Sequence, residues 1–256
     1  MITPLLSAIL VLAPQGSEKL PTPEKPGVKP KEAVLIKEWS DKEAKVALAE
    51  HKTATKGRKV PLATRLKAIE ALATGRNKLL VKPLAKVVLT DTAITVAKLA
   101  AGSLGHQPVK QAAPVLLKLL ADSKIKKTPA VLAAVIGAFG KAGYRERYWD
   151  KLKNLFEKDF SPEWVPVQKA LLQLIITHKE KQAWKMLLNH IDEPAPVDVD
   201  AADNPPASYW EKRWKAWRLW RDDVKEALYA LTGQRFSNGK EARAWIRVNG
   251  ARQGLK

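Results

Sequence analysis

The sequence predicts an all-α fold: a right-handed α-solenoid of about four to five helix hairpins, closed by a Trp-rich helical cap at the C-terminus. Three observations carry that prediction. Apolar residues recur at helical spacing from about residue 40 to residue 192; aspartates fall at 91, 122, 159 and 192, separated by 31, 37 and 33 residues; and four of the nine tryptophans crowd into 210–220.

At 256 residues, 46% hydrophobic and 28% charged, the chain can bury a sizeable core. With no cysteine, disulfides, thiolate zinc sites, thiol catalysis and a lipoprotein anchor are excluded. The opening MITPLLSAILVLAPQG has an apolar run over 4–13, too short to span a bilayer and suited to a signal-peptide core, with Ala13 at the cleavage point. A signal peptide over 1–17 and an exported, periplasmic or extracytoplasmic protein are therefore expected. No Lys or Arg precedes the run, which keeps a cytoplasmic chain as the alternative. No other segment approaches a membrane span. Residues 18–37, dense in Pro and Lys, read as an extended linker.

Residues 38–192 form the repeat region. Leu62, Leu66, Ile69 and Ala73 fall on one stripe, as do Val131, Val135, Ile136 and Phe139, and then Val167, Leu171, Leu174 and Ile175. Thr128-Pro129 and Ser161-Pro162-Glu163 signal helix starts, with a hydroxyl at the N-cap and proline at the first helical position; Val60-Pro61 and Gln107-Pro108 do so less completely. At an offset of 31, VKPLAKVVLTD over 81–91 lies on AAPVLLKLLAD over 112–122, with Thr64 on Thr95 and Lys67 on Lys98. Segments ending at Asp159 and Asp192 follow more loosely. A hairpin of this length cannot bury its own apolar stripe, so neighbours must stack and share one core. Each closing aspartate is expected to cap the first helix of the next unit and to complement its dipole.

Paired short helices, a proline opening the second helix at Lys82-Pro83-Leu84 and Ala113-Pro114-Val115, and an aspartate at the inter-repeat turn resemble HEAT or HEAT-like repeats. The resemblance covers roughly residues 40–192 and is strongest in the middle two units. It implies a scaffold that binds a partner through an extended curved surface built from the second helices. On such a surface this chain would carry Lys78, Lys82 and Lys86, then Lys110 and Lys118. Cations spaced by four repel, so helix stability does not explain them, although a row of lysines also makes an ordinary solvated face. Beside them YRERYWDKLK, over 144–153, reads as a helix that mixes Arg145 and Arg147 with aromatics and buries Trp149, Leu152, Leu155 and Phe156.

An acidic, Pro-rich loop over 193–206 breaks the helical text; it is either a solvated linker or a strap over a positive groove. A helical cap follows over 207–256. At 100 degrees per residue Trp210, Trp214, Trp217 and Trp220 share an arc of about 120 degrees, the width of a core-facing stripe. Arg213 and Arg221 project into the same arc, where they either stack on indoles or extend to the rim. Leu231-Thr232-Gly233 ends this helix and Asn238-Gly239-Lys240-Glu241 opens another. The L-T-G-x-x-F pattern and Ala244-Trp245 resemble the C-terminal part of exported HEAT-repeat proteins of planctomycete-type bacteria.

A net charge of +19 points to an anionic partner: a protein first, with nucleic acid or another anionic polymer as alternatives. His51, His106, His178 and His190 have no metal-site spacing, and the glycines form no phosphate loop. No cofactor and no catalytic residue are expected. The enzyme alternative is a resemblance in size, charge and Trp/Arg content to helical-repeat alkylpurine DNA glycosylases. The catalytic acid such an enzyme needs has no counterpart here, and the sequence sets no oligomeric state.

Overall fold

The first helix, α1 (Asp41–Ala54), begins at a complete capping box. Ser40 Oγ accepts the Glu43 N–H at 3.2 Å while the Glu43 carboxylate accepts the Ser40 N–H at 2.7 Å, so two donors at the helix start are satisfied reciprocally. Eleven α-helices are present among the described residues of this computed structural model, which are 35–255 except Arg58 and Val197. The expected signal peptide over 1–17 and residues 18–34 of the linker expected over 18–37 lie outside them. The structure is mostly helical, with strand confined to two residues at Lys37–Glu38 (β1) and two at Gly75–Arg76 (β2), paired in parallel. This pairing draws the last residue assigned to the linker, Lys37, into the fold: its N–H reaches Thr74 O at 2.8 Å. Trp39 then covers Gly75, where a Cβ would overlap the indole, so glycine is required for the close approach.

The remaining helices are α2 (Leu62–Ala73), α3 (Val81–Thr90), α4 (Ile94–Leu104), α5 (Val109–Ala121), the single turn α6 (Ser123–Lys126), α7 (Pro129–Ala142), α8 (Val165–His178), α9 (Trp184–His190), α10 (Ala207–Thr232) and α11 (Gly239–Gln253). One row is continuous, α2 packing on α4, α4 on α7, α7 on α8 and α8 on α10. Along its flank α1 lies on α2, α3 on both α4 and α5, α5 on α7, and α9 on both α10 and α11. The apolar stripes meet along this row: Ile69, Val96, Val135, Ile136, Leu171 and Val224 are all buried in one connected core. Leu62, placed on a core stripe by its spacing, is 44% exposed at the first turn of α2.

The four repeat aspartates do related work, but only three do it locally. Asp91 accepts the Ala93 N–H at 2.8 Å, Asp122 the Lys124 N–H at 2.8 Å and Asp159 the Ser161 N–H at 3.0 Å. Each is a side-chain turn two residues long that starts the next segment. Asp192 does not serve the next helix, α10; it accepts the Gly239 N–H at the start of α11, at 2.8 Å.

Several local expectations are corrected. Residues 144–153 are not an α-helix. Gly143 closes α7 at φ 141°, Arg145 is extended, and the chain restarts as 3₁₀ turns over Glu146–Lys151 and Lys153–Leu155, still burying Trp149, Leu152, Leu155 and Phe156. Pro114 does not open a helix but sits inside α5, where it removes the donor for the carbonyl four residues earlier. Ser161-Pro162 precedes a turn, and α8 starts at Val165. Thr128 precedes α7 as its N-cap, but its side chain makes no cap bond. At the other end of the chain the closing signals hold: Gly233 is left-handed at φ 71°, and Asn238 Oδ1 accepts the Glu241 N–H at 2.9 Å.

Candidate functional site

Helices α3 and α5 pack side by side, and each exposes lysines. Lys82 and Lys86 are exposed on α3, and Lys110 and Lys118 on α5. Among the described residues none of these four has a carboxylate within ion-pairing distance. Lys78 differs. It stands in the 3₁₀ turn before α3, and its Nζ lies 3.2 Å from Asp41 Oδ2. The Asn77 amide, bonded to Asp41 at 3.0 Å, and then Lys78 hold the Asp41 carboxyl below the usual carboxylate range.

Arg145 is exposed at the restart after α7. Arg213 and Arg221 lie on α10, at the far end of the packed row and separated from α3 and α5 by α7 and α8. The structure therefore does not gather the sequence-predicted cations into one surface. On α10 the arginines stack on aromatic rings of their own neighbourhood: Arg213 lies over Phe160 at 5.3 Å and Trp210 at 5.7 Å, Arg218 over Trp214 at 4.8 Å, and Arg221 over Trp217 at 5.3 Å. The four indoles divide. Trp220 is 1% exposed and Trp217 9%, whereas Trp210 and Trp214 are only partly buried. Trp220 donates to Gln168 Oε1 at 3.0 Å, and Gln168 Nε2 donates in turn to Phe156 O at 3.0 Å and Asp159 O at 3.2 Å. That chain of bonds fastens α10 to α8 and to the turn ahead of it.

The acidic loop is fastened too. Glu193 accepts the Trp214 indole N–H, and Asp192 Oδ2 lies 3.3 Å from Arg243 on α11. Loop and helix enclose a cleft of about 690 Å³, whose helix side is Tyr209, Trp210 and Arg213 and whose loop side is Asp192, Glu193 and Asp198. The loop thus lies over Arg213, not over the lysines of α3 and α5.

A second cleft, of about 660 Å³, opens between α1, α2 and α3. Leu48, Ile69, Val87 and Val96 give it apolar walls, while Lys52, Arg65 and Lys86 supply three cations against one carboxylate, Asp91. Arg65 is paired with Asp91 through Nη1, and its Nε–H is buried without an acceptor among the described residues. Burial pushes the His51 imidazole below its ordinary value. Of these residues only Lys86 is among the sequence-predicted partner-binding cations. The signal for Arg65 was present: at the repeat offset of 31 it falls on Val96, so a cation occupies a position that is apolar in the next unit.

Two polar contacts lie at the ends of α9, one buried and one partly so. Tyr144 donates its hydroxyl to the buried Glu180, and burial followed by that contact pushes the phenol's pKa up. His190, 2% exposed, packs against both the Phe156 and Trp220 rings with Nε2 2.8 Å from Glu157 Oε1. That bond holds the Glu157 carboxyl below 4.5, so its contribution to stability is full above that pH and is lost as pH falls through the lower folded value. A pH series of melting temperatures is expected to decline below 4.5, with a shallower decline in Glu157→Gln. Identical slopes would show that the contact carries no linkage.

Among the described residues no three His, Cys, Asp or Glu side chains are placed to hold a metal ion, and no helix is long and apolar enough to cross a membrane. Comparison with protein-family models, curated proteins and solved structures finds no match to this chain.

Proposed function

We propose that the chain is a non-enzymatic, HEAT-like helical-repeat scaffold, a right-handed α-solenoid with a Trp-rich cap, that binds an acidic protein partner through the lysine face of α3 and α5. The observation that carries this reading is the set of four exposed lysines, Lys82, Lys86, Lys110 and Lys118, without ion-pair partners among the described residues. The net charge of +19 supports it, because a field of one sign speeds encounter with an oppositely charged partner and favours it over others. Successive packing along the α2–α10 row supports the repeat architecture, since each helix finds its apolar partner in the next. Export through the N-terminal apolar segment belongs to the same proposal.

The test is binding of a fluorescent polyglutamate peptide, followed by anisotropy against salt, to the wild type and to Lys82→Glu/Lys86→Glu/Lys110→Glu/Lys118→Glu. Affinity is expected to fall with salt and to drop by about tenfold or more in the variant, as when complementary charges become like charges. Unchanged affinity would remove the lysine face from the proposal. Duplex DNA serves as the second arm: tighter binding to DNA than to polyglutamate, with a steep log–log salt slope, would transfer the face to nucleic acid.

A further inference from the structure

We infer that the cleft between α1, α2 and α3 is a binding site for a small amphiphilic anion, with an apolar body on the Leu48–Pro83–Val87 wall and a carboxylate or phosphate head held by Lys52, Arg65 and Lys86. This goes beyond partner binding by the lysine face and shares only Lys86 with it. At about 660 Å³ the cleft has the size of a small-molecule pocket, and its composition, apolar walls with a few convergent polar groups, is that of a ligand site.

The wall is firm. Leu48, Pro83 and Val87 are only partly buried and offer the apolar surface, and behind them Ile69 and Val96, each 1% exposed, belong to the connected core and back it by close packing. The head end is unbalanced. Asp91, whose Oδ1 accepts from the Ala93 N–H and Arg65 Nη1, carries a single negative charge against the three cations Lys52, Arg65 and Lys86. Among the described residues Arg65 keeps an Nε–H without an acceptor, a costly state for a buried donor that an anionic oxygen would relieve. Thr55 and Thr90 line the same rim but spend their hydroxyl protons on the His51 and Lys86 carbonyls, at 2.7 and 2.9 Å, which leaves charge and not hydroxyl donation to hold the head.

Arg65 has no cationic counterpart in the next unit. At the offset of 31 the position is Val96, buried and apolar, so no cation stands there to hold a head group. Replacing an apolar repeat position by arginine gives up hydrophobic burial, and recognition of an anion is the compensation the geometry offers.

The experiment is calorimetric titration of the full chain with decanoate, decyl phosphate, decanol and decyltrimethylammonium, each below its micelle concentration, with amide chemical-shift mapping of the bound state. Decanoate or decyl phosphate is expected to saturate one site, with shifts centred on α1, α2 and the α3–α4 turn; whichever of the two binds more tightly names the head group. Decanol is expected to bind about tenfold more weakly, and the cation not at all. Lys52→Glu is a surface change outside the lysine face and is expected to weaken the anion about tenfold while leaving polyglutamate binding unchanged. Lys110→Glu/Lys118→Glu is expected to do the reverse. Arg65→Met, with folding checked by circular dichroism, is expected to abolish anion binding. Decanol binding as tightly as decanoate, Lys52→Glu leaving decanoate affinity intact, or shifts mapping elsewhere would each overturn the site. Loss of polyglutamate binding alone would fall on the lysine face and not on the cleft.

Discussion

Replacing Trp220 by alanine is expected to destabilise the protein by about 3–5 kcal/mol, the usual range for removing a buried aromatic. Trp220 is 1% exposed and stands edge-on to Phe156 at 5.1 Å and to His190 at 5.6 Å. Truncation therefore opens a cavity under three elements at once, α8, α9 and the turn ahead of α8, and none of them can collapse into it without moving the others. Urea unfolding followed by circular dichroism measures the effect, read as a lower midpoint at unchanged slope. Trp214→Ala serves as the internal comparison. Although the helical wheel places both on one stripe, Trp214 is only partly buried, and its loss is expected to cost about a third as much or less, by the smaller area returned to water. Equal losses at the two positions would show that α10 does not seat on α8 through Trp220.

Gln168→Leu is expected to cost about 2–4 kcal/mol despite adding apolar volume, because the leucine leaves buried polar groups without partners. Gln168 is fully buried, and it is the acceptor for the Trp220 indole and the donor to the Phe156 and Asp159 carbonyls. A double-mutant cycle with Trp220→Phe isolates the shared bond. Removing both partners is expected to cost less than the sum of the single losses, since the orphaned donor disappears with the indole. Strict additivity would mean that the bond contributes nothing in the folded state.

How far the sequence reached is clearest at particular residues. The apolar stripes over 131–139 and 167–175 placed α7 and α8 and their buried sides, because a helix whose apolar residues recur every three to four positions has only one side to bury. The stripe at 149–156 gave the right buried residues and the wrong helix type. Both α and 3₁₀ windings place such residues inside, and what selects the tighter one is the left-handed Gly143, the extended Arg145 and the Tyr144–Glu180 anchor across 36 residues. Pro114 misled for a related reason: proline is favoured at a helix start but is tolerated inside a helix whose flanks are well packed.

The candidate sites were less legible. A lysine row is visible in any sequence, but whether each lysine is free depends on residues far along the chain, as Asp41 shows for Lys78. The arginines of α10 were read correctly as sharing an arc with indoles, since that follows from spacing alone. Their stacking on Phe160, and the acidic loop laid over Arg213, depend on long-range packing that spacing does not encode.

Taken alone, the amino-acid order determined what is local and periodic: helices, their apolar sides, glycine and asparagine at their ends, and aspartates that turn the chain every thirty or so residues. Only the tertiary structure decided which indoles are buried, which cations are left unpaired, and that Arg65 faces a cleft together with Lys52 and Lys86. The reason is physical. Burial against the next helix and pairing with a charge from another helix are properties of two segments together, and neither segment carries them by itself.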